Sequence, residues 1–225
     1  RALDGLPVEY ILVGVISEND KKLLQNLKIK HRLYFKSNQK GFGEDAFHSM
    51  WYLLFNTYRP KICLEIGVYR GQVISLWSLL SKILDYEIEI HGISPFEPIG
   101  DSVSEYIKNV NYLEDTKKNC LRFSHKLPNL HVGLSTDLKM VNIIDSKKWD
   151  LIYIDGPSPY SYQEAESEYI SFKSPDITNI TSDLLRIEPV LLPGTVVIFD
   201  GMTNNARFNR RNLQRNWLSF EDVEL

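Results

Sequence analysis

With 225 residues, 43% hydrophobic and 24% charged, the chain is long enough for one full-sized domain with a two-sided core and short for two. A formal net charge of -3, from 26 Lys+Arg against 29 Asp+Glu, sets up no global field for nucleic acid or an anionic membrane, so neither partner is expected. No apolar run reaches the roughly 18 residues that a membrane-spanning helix needs. No basic-then-apolar leader opens the chain, and Cys63 and Cys120 are too few for a disulfide framework or a cysteine zinc site, so the expectation is a soluble, cytoplasmic protein.

Residues 1–42 carry a strand-like run, Tyr10-Ile11-Leu12-Val13, and a short helix beginning near Asn19; they read as an N-terminal extension packed on a domain filling 43–225. Phe47, Met50, Trp51, Leu54, Phe55 and Tyr58 then recur at helical spacing. That helix should stop before Arg59-Pro60, because proline pushes the residue ahead of it out of the α region. Five short apolar runs each suit a strand: 62–66, 88–93, 130–134, 151–154 and 195–199. Between the first two, Val73, Leu76, Trp77, Leu80 and Leu84 lay one apolar stripe along a helix. The segments 104–123 and 162–172 also read as helices, and the polar stretch 171–180, which holds Pro175, reads as a loop. Strands alternating with helices predict an α/β domain, a doubly wound and mostly parallel sheet with helices on both faces.

The stretch Leu64-Glu65-Ile66-Gly67-Val68-Tyr69-Arg70-Gly71-Gln72 carries the most chemistry, a strand running into a glycine-bearing turn and then a helix. Gly67 lets the chain turn sharply and Gly71 allows close approach of a helix, strand or ligand, while the helix N-terminus points N–H groups into the crevice. The spacing is Gly-x-x-x-Gly, not the dinucleotide Gly-x-Gly-x-x-Gly, and Tyr69 stands where a second close-approach glycine would be. Glu65 is a poor neighbour for phosphates and a good one for a cation or an amine.

Glu65-Ile66-Gly67-Val68-Tyr69-Arg70-Gly71 resembles motif I of class I S-adenosylmethionine-dependent methyltransferases, in the form found in a branch of small-molecule O-methyltransferases. His91-Gly92-Ile93-Ser94-Pro95-Phe96 resembles that branch's second strand, Trp149-Asp150-Leu151-Ile152-Tyr153-Ile154-Asp155-Gly156 its fourth, and Leu192 to Asp200 its fifth, in the same order. The resemblance implies a Rossmann-like fold, S-adenosylmethionine as cofactor and methyl transfer to an oxygen of a small molecule, a sugar or secondary metabolite. It implies a donor site made by Glu65, Gly67, Val68, Tyr69 and Gly71 at the methionine end, by Ser94 and Phe96 after the second strand, by Ser135 and Thr136 after the third, and by Asp155 after the fourth. A bland alternative has Glu65 capping a turn and Phe96 in the core.

The related enzymes usually carry an acidic residue where this chain has Ser94, and a hydroxyl is the weaker acceptor for ribose. They commonly follow Asp-Gly with a histidine, where this chain reads Asp155-Gly156-Pro157-Ser158-Pro159-Tyr160. Without that general base, Asp155 and Tyr160 are the catalytic candidates. Asp155 and Asp200, ending neighbouring strands, form a candidate rim for magnesium or another divalent cation. Arg207, Arg211 and Arg215 recur at four-residue steps in an Asn- and Arg-rich segment, suited either to clamp an anionic group on the acceptor or to form a solvated helix face. Two rival readings stand beside the methyltransferase: a catalytically degenerate domain of the same fold with a binding or structural role, and a dinucleotide oxidoreductase, which Tyr69 opposes.

Overall fold

The computed structural model describes residues 17–41, 45–97, 109–124, 126–155, 190–191, 195–199 and 218–219, with the backbone alone at 45, 46, 199, 218 and 219. The expected strand at 10–13, the 162–172 helix and the 171–180 loop lie outside these residues.

The first helix, α1 (Glu18–Leu27), starts on a capping box in which the Ser17 hydroxyl accepts the Asp20 N–H and the Asp20 carboxylate accepts the Ser17 N–H. It begins one residue from Asn19, where the sequence places the start of a short helix, but the helical path runs on past Leu27. The chain stays helical through a π-helical stretch, Lys28–Arg32, into α2 (Leu33–Ser37). Helix α3 (Asp45–Tyr58) ends where the proline predicts, and Arg59 turns to a left-handed φ of 45°. Its Tyr52 hydroxyl donates to Asp20, which ties α3 to the start of α1.

The core then alternates: β1 (Ile62–Ile66), α4 (Gln72–Ile83), β2 (Glu89–Ser94), α5 (Tyr112–Phe123), β3 (Asn129–Val132), α6 (Leu138–Asp145), β4 (Leu151–Ile154), β5 (Val196–Phe199) and β6 (Leu218–Ser219). One boundary needs correcting. Of the helix expected over 104–123, residues 104–108 lie outside the described residues, and from 109 on the helix begins only at Tyr112, because Asn109 takes a left-handed φ of 69° and the Asn111 side chain caps the helix by accepting the Glu114 N–H.

The strands assemble in the order β3-β2-β1-β4-β5-β6, the first five parallel and β6 antiparallel to β5. Strand residues alternate between two apolar layers. Cys63, Ile90, Leu151, Tyr153 and Ile198 pack under α1, α3, α4 and α5, where Trp51, Phe55 and Trp77 are fully buried. Leu64, Ile66, Ile93, Ile152 and Ile154 face the other way, against Met140 and Ile144 of α6 and against Trp149. Helices thus cover both faces, and the strand order reverses between β1 and β4. In a doubly wound sheet, the crevice at the carboxyl ends beside that reversal is where ligands bind.

Candidate functional site

Backbone hydrogen bonds from both sides pin the end of β1. The Gly67 N–H donates to the Ile93 carbonyl of β2 at 2.9 Å, and the Asp155 N–H, just past β4, donates to the Ile66 carbonyl at 2.8 Å. Gly67 then takes φ 100° and Gly71 φ 78°, conformations that a side chain would oppose. Gly71 is also the N-cap of α4, and a Cβ there would stand 2.9 Å from the Thr116 methyl of α5. The turn's second glycine therefore serves helix packing as well as access. Val68 is buried against Gly92, and the Tyr69 ring is half-buried with its centroid 5.3 Å from that of Tyr112.

Glu65 shares its face of the sheet with Cys63, so its side chain heads under α4. It is 2% exposed. The Ile74 N–H in the first turn of α4 donates to the carboxylate, which supplies the acceptor that a glycine N-cap lacks. Its Oε2 is buried with no hydrogen-bond partner. Burial first, and then the neighbouring charge of Asp155, push the Glu65 carboxyl well above the usual range, against the pull of the Ile74 N–H. Two carboxyl groups thus sit together at the switch point. One is buried and half-satisfied; the other, Asp155, is half-buried at the crevice.

The adenosine-side candidates are less open. Ser94 is 4% exposed and its hydroxyl accepts the Phe96 N–H at 3.3 Å. Phe96, 7% exposed with a left-handed φ of 54°, packs into the same apolar layer as Val68. Ser135 and Thr136 lie on the turn between β3 and α6, half-buried and exposed respectively, where Asp137 closes the turn by accepting the Leu134 N–H at 2.8 Å. The structure therefore brings Glu65, Gly67, Gly71 and Asp155 to one point, with Ser94 and the Ser135 turn following neighbouring strands. Tyr160, Asp200, Arg207, Arg211 and Arg215 lie outside the described residues, so the Asp155–Asp200 rim and the arginine face have no geometry here. Among the described residues, no group of three His, Cys, Asp or Glu side chains is arranged to hold a metal ion.

Two polar clusters beside this site escaped the sequence reading. Arg70, inside the glycine turn, pairs with Asp115 of α5 at 2.6 Å, and Lys40 reaches the other oxygen of that carboxylate at 2.7 Å. His31, in the π-helical stretch, has one ring nitrogen 2.9 Å from His48 and the other 2.9 Å from the Ser75 hydroxyl on α4, all three side chains fully buried. Burial, and then His48, hold the His31 imidazole well below its usual pKa, so it is neutral in the fold. Arg70 and His48 were visible in the sequence, but nothing there shows their partners.

No protein-family model matches the chain, and no curated protein matches it in sequence. Solved structures do. A candidate caffeoyl-CoA O-methyltransferase from Staphylococcus aureus superposes over 88% of this chain and 87% of its own, with TM-score 0.51 and 16% identity. CalS11, a TDP-rhamnose 3'-O-methyltransferase of calicheamicin biosynthesis, matches 93% of this chain and 89% of its own at TM-score 0.48 and 18% identity. The S-adenosylhomocysteine-bound methyltransferase PaMTH1 of Podospora anserina matches 79% of this chain at TM-score 0.44 and 17% identity, and the match spans 61% of that protein's length. The likeness to the Staphylococcus protein, with the strand order and the glycine turn at the reversal, shows that this chain has the Rossmann-like, doubly wound α/β fold of that methyltransferase structure.

Proposed function

We propose that the chain is an S-adenosylmethionine-dependent methyltransferase acting on an oxygen of a small-molecule acceptor, a sugar or secondary metabolite. One observation carries the reading: Glu65, buried at the switch point, has one carboxylate oxygen without a partner beside a turn held open by two left-handed glycines. A buried, half-satisfied carboxylate is costly unless a cation completes it. The methionine end of the donor carries an ammonium and a sulfonium. A diphosphate cofactor fits poorly, because Glu65 and Asp155 together oppose a second anion.

Bound there, the donor supplies an electrophilic methyl group. The chain must then hold the acceptor oxygen in line with it and take its proton. In this reading Glu65 and the first turn of α4 receive the methionine end, and Gly67, Val68, Tyr69 and Gly71 shape the wall around it. The adenosine falls to Ser94 and Phe96 at the end of β2 and to Ser135 and Thr136 after β3. Asp155 is the proton acceptor, with Tyr160 beside the acceptor molecule. Arg207, Arg211 and Arg215 take an anionic group on the acceptor; as an alternative to Asp155 acting as base, Asp155 with Asp200 would hold a divalent cation, which would lower the pKa of the acceptor hydroxyl.

Calorimetric titration with S-adenosylmethionine and S-adenosylhomocysteine, each with and without magnesium, tests the proposal. Micromolar binding supports it, and tightening by magnesium supports the aspartate rim. No binding of either ligand at millimolar concentration overturns the catalytic reading and leaves a repurposed scaffold.

A further inference from the structure

We propose that Asp115 is a positioning residue for the donor site: by bridging Arg70 and Lys40 it clamps the segment 39–41 and the Gly67–Gly71 turn into one rigid wall at the start of α4. The inference rests on the donor reading given above. Its geometry stands independently of it.

Arg70 belongs to the turn itself and is 6% exposed. Its Nε donates to Asp115 Oδ2 at 2.6 Å and its Nη1 donates to the Gln39 carbonyl at 3.2 Å, so one guanidinium joins the turn to α5 and to the end of the N-terminal helical segment. Lys40 Nζ donates to Asp115 Oδ1 at 2.7 Å and to Asn119 Oδ1 at 3.0 Å. Asn119, fully buried, returns its amide N–H to the Arg70 carbonyl at 2.8 Å, which fixes the turn's backbone as well as its side chain. The segment on the far side is seated just as closely. Gln39 takes a left-handed φ of 52°, which aims its carbonyl at Arg70, and a Cβ on Gly41 would run into the side chain of Gln72, the first residue of α4.

Burying a carboxylate with two cations is a poor way to add stability, since apolar side chains of similar volume do as well or better. What such a network supplies is a fixed register between elements far apart in sequence. The register fixed here is that of the turn, the first residue of α4 and the segment lying on it, and the turn and α4 are the elements that follow Glu65, whose carboxylate accepts the Ile74 N–H. Burial works to raise the Asp115 carboxyl pKa, yet the hydrogen bonds from Lys40 and Arg70 keep it below the ordinary range, so the clamp stays ionised at neutral pH.

The test is Asp115→Asn, which keeps the shape and removes the charge both cations share. Calorimetry compares S-adenosylhomocysteine with 5'-methylthioadenosine, which lacks the amino-acid tail. Binding of the former should weaken by tenfold or more while the latter changes less than twofold, and in the ligand-free variant the amides of 67–74 should exchange faster with those of β1 and β4 unchanged. Equal losses for both ligands, no loss, or unaltered exchange at 67–74 overturn the clamp. If the wild-type protein binds neither ligand, the donor reading falls and the clamp with it. Lys40→Gln, at the rim of the network, removes one arm and leaves Arg70 paired. It should give a smaller loss with the same ligand selectivity, and it serves as the test if Asp115→Asn does not fold.

Discussion

Replacing Glu65 with glutamine separates what the carboxylate costs the fold from what it gives the ligand. The amide oxygen can still accept the Ile74 N–H, so the first turn of α4 keeps its partner. What disappears is the charge, and an NH2 group now competes for the place of an ammonium. A hydrogen bond to a charged group contributes about 1.5–3 kcal/mol, so binding of S-adenosylmethionine should weaken roughly 10- to 100-fold. Stability should move the other way. Burial and Asp155 raise the Glu65 pKa above its unfolded value, so the folded state holds this proton more tightly than the unfolded chain does. The stabilisation from that proton is complete below the ordinary carboxyl range and is lost as pH rises through the folded pKa. Ligand-free Glu65→Gln should therefore melt above the wild type, by a margin that grows with pH. Calorimetry in buffers of different ionisation enthalpy adds a second readout, because a cation that draws Glu65 into its ionised form releases a proton on binding. Binding of the variant within twofold of wild type, with no proton released by the wild type, would refute the assignment of Glu65 as the donor's cation partner.

Gly71→Ala should lower unfolding free energy by about 2 kcal/mol in denaturant titrations, since a left-handed alanine costs roughly 1–2 kcal/mol and its Cβ would stand 2.9 Å from the fully buried Thr116. A loss below about 0.5 kcal/mol would show that α5 yields there. Because His31 is held neutral, with its folded pKa below the unfolded value, its contribution is full above about pH 6.5 and falls away as pH drops below it. Melting temperature should decline from pH 7.5 to 5.5, and more shallowly in His31→Gln; parallel profiles would remove His31 as the cause. Arg211→Ala with Arg215→Ala should raise the acceptor's KM at least several-fold with kcat less affected, whereas unchanged kinetics would leave that segment a solvated face.

The sheet was legible because its signals are local. The runs at 62–66 and 151–154 are too short for core helices and are bounded by polar residues, and their strands fall on those residues. Tyr58 ends α3 because Pro60 acts on its immediate neighbour. The start of α5 was misread because the Asn111 cap lies inside a stretch that is amphipathic by composition, and the long N-terminal helix because a π-helical turn shifts the apolar spacing on which periodicity depends. At the site, motif spacing found Glu65 and both glycines but not what the carboxylate does. Of the bland reading, Phe96 is in the core and Glu65 does accept an N–H, yet only one of its oxygens is used. The clamp could not be seen at all, since Lys40, Arg70 and Asp115 meet only after α5 has packed on α4.

The separate polar features converge on one turn of helix. Among the described residues, Glu65 reaches Ile74, His31 reaches Ser75, Gly41 lies on Gln72, and Arg70 leads into the glycine that caps α4 without a side chain. A serine, threonine or aspartate at the cap would offer a side-chain acceptor to the helix's free N–H groups, whereas glycine, itself a common N-cap, offers none. Here the cap is left bare, its acceptor comes from β1, and its walls come from α5 and the N-terminal segment. That arrangement leaves the N-cap of α4 without a capping side chain, which suits the proposed donor reading, in which a ligand carboxylate approaches this helix end. On the proposed donor reading the ligand's carboxylate meets the helix N-terminus and its ammonium meets Glu65, so a ligand with only one of the two groups should bind this turn less tightly than one with both. Methionine against its amide and its deaminated acid is the simplest set for calorimetry or competition. Equal affinities across the three would mean that the turn does not read the amino-acid end.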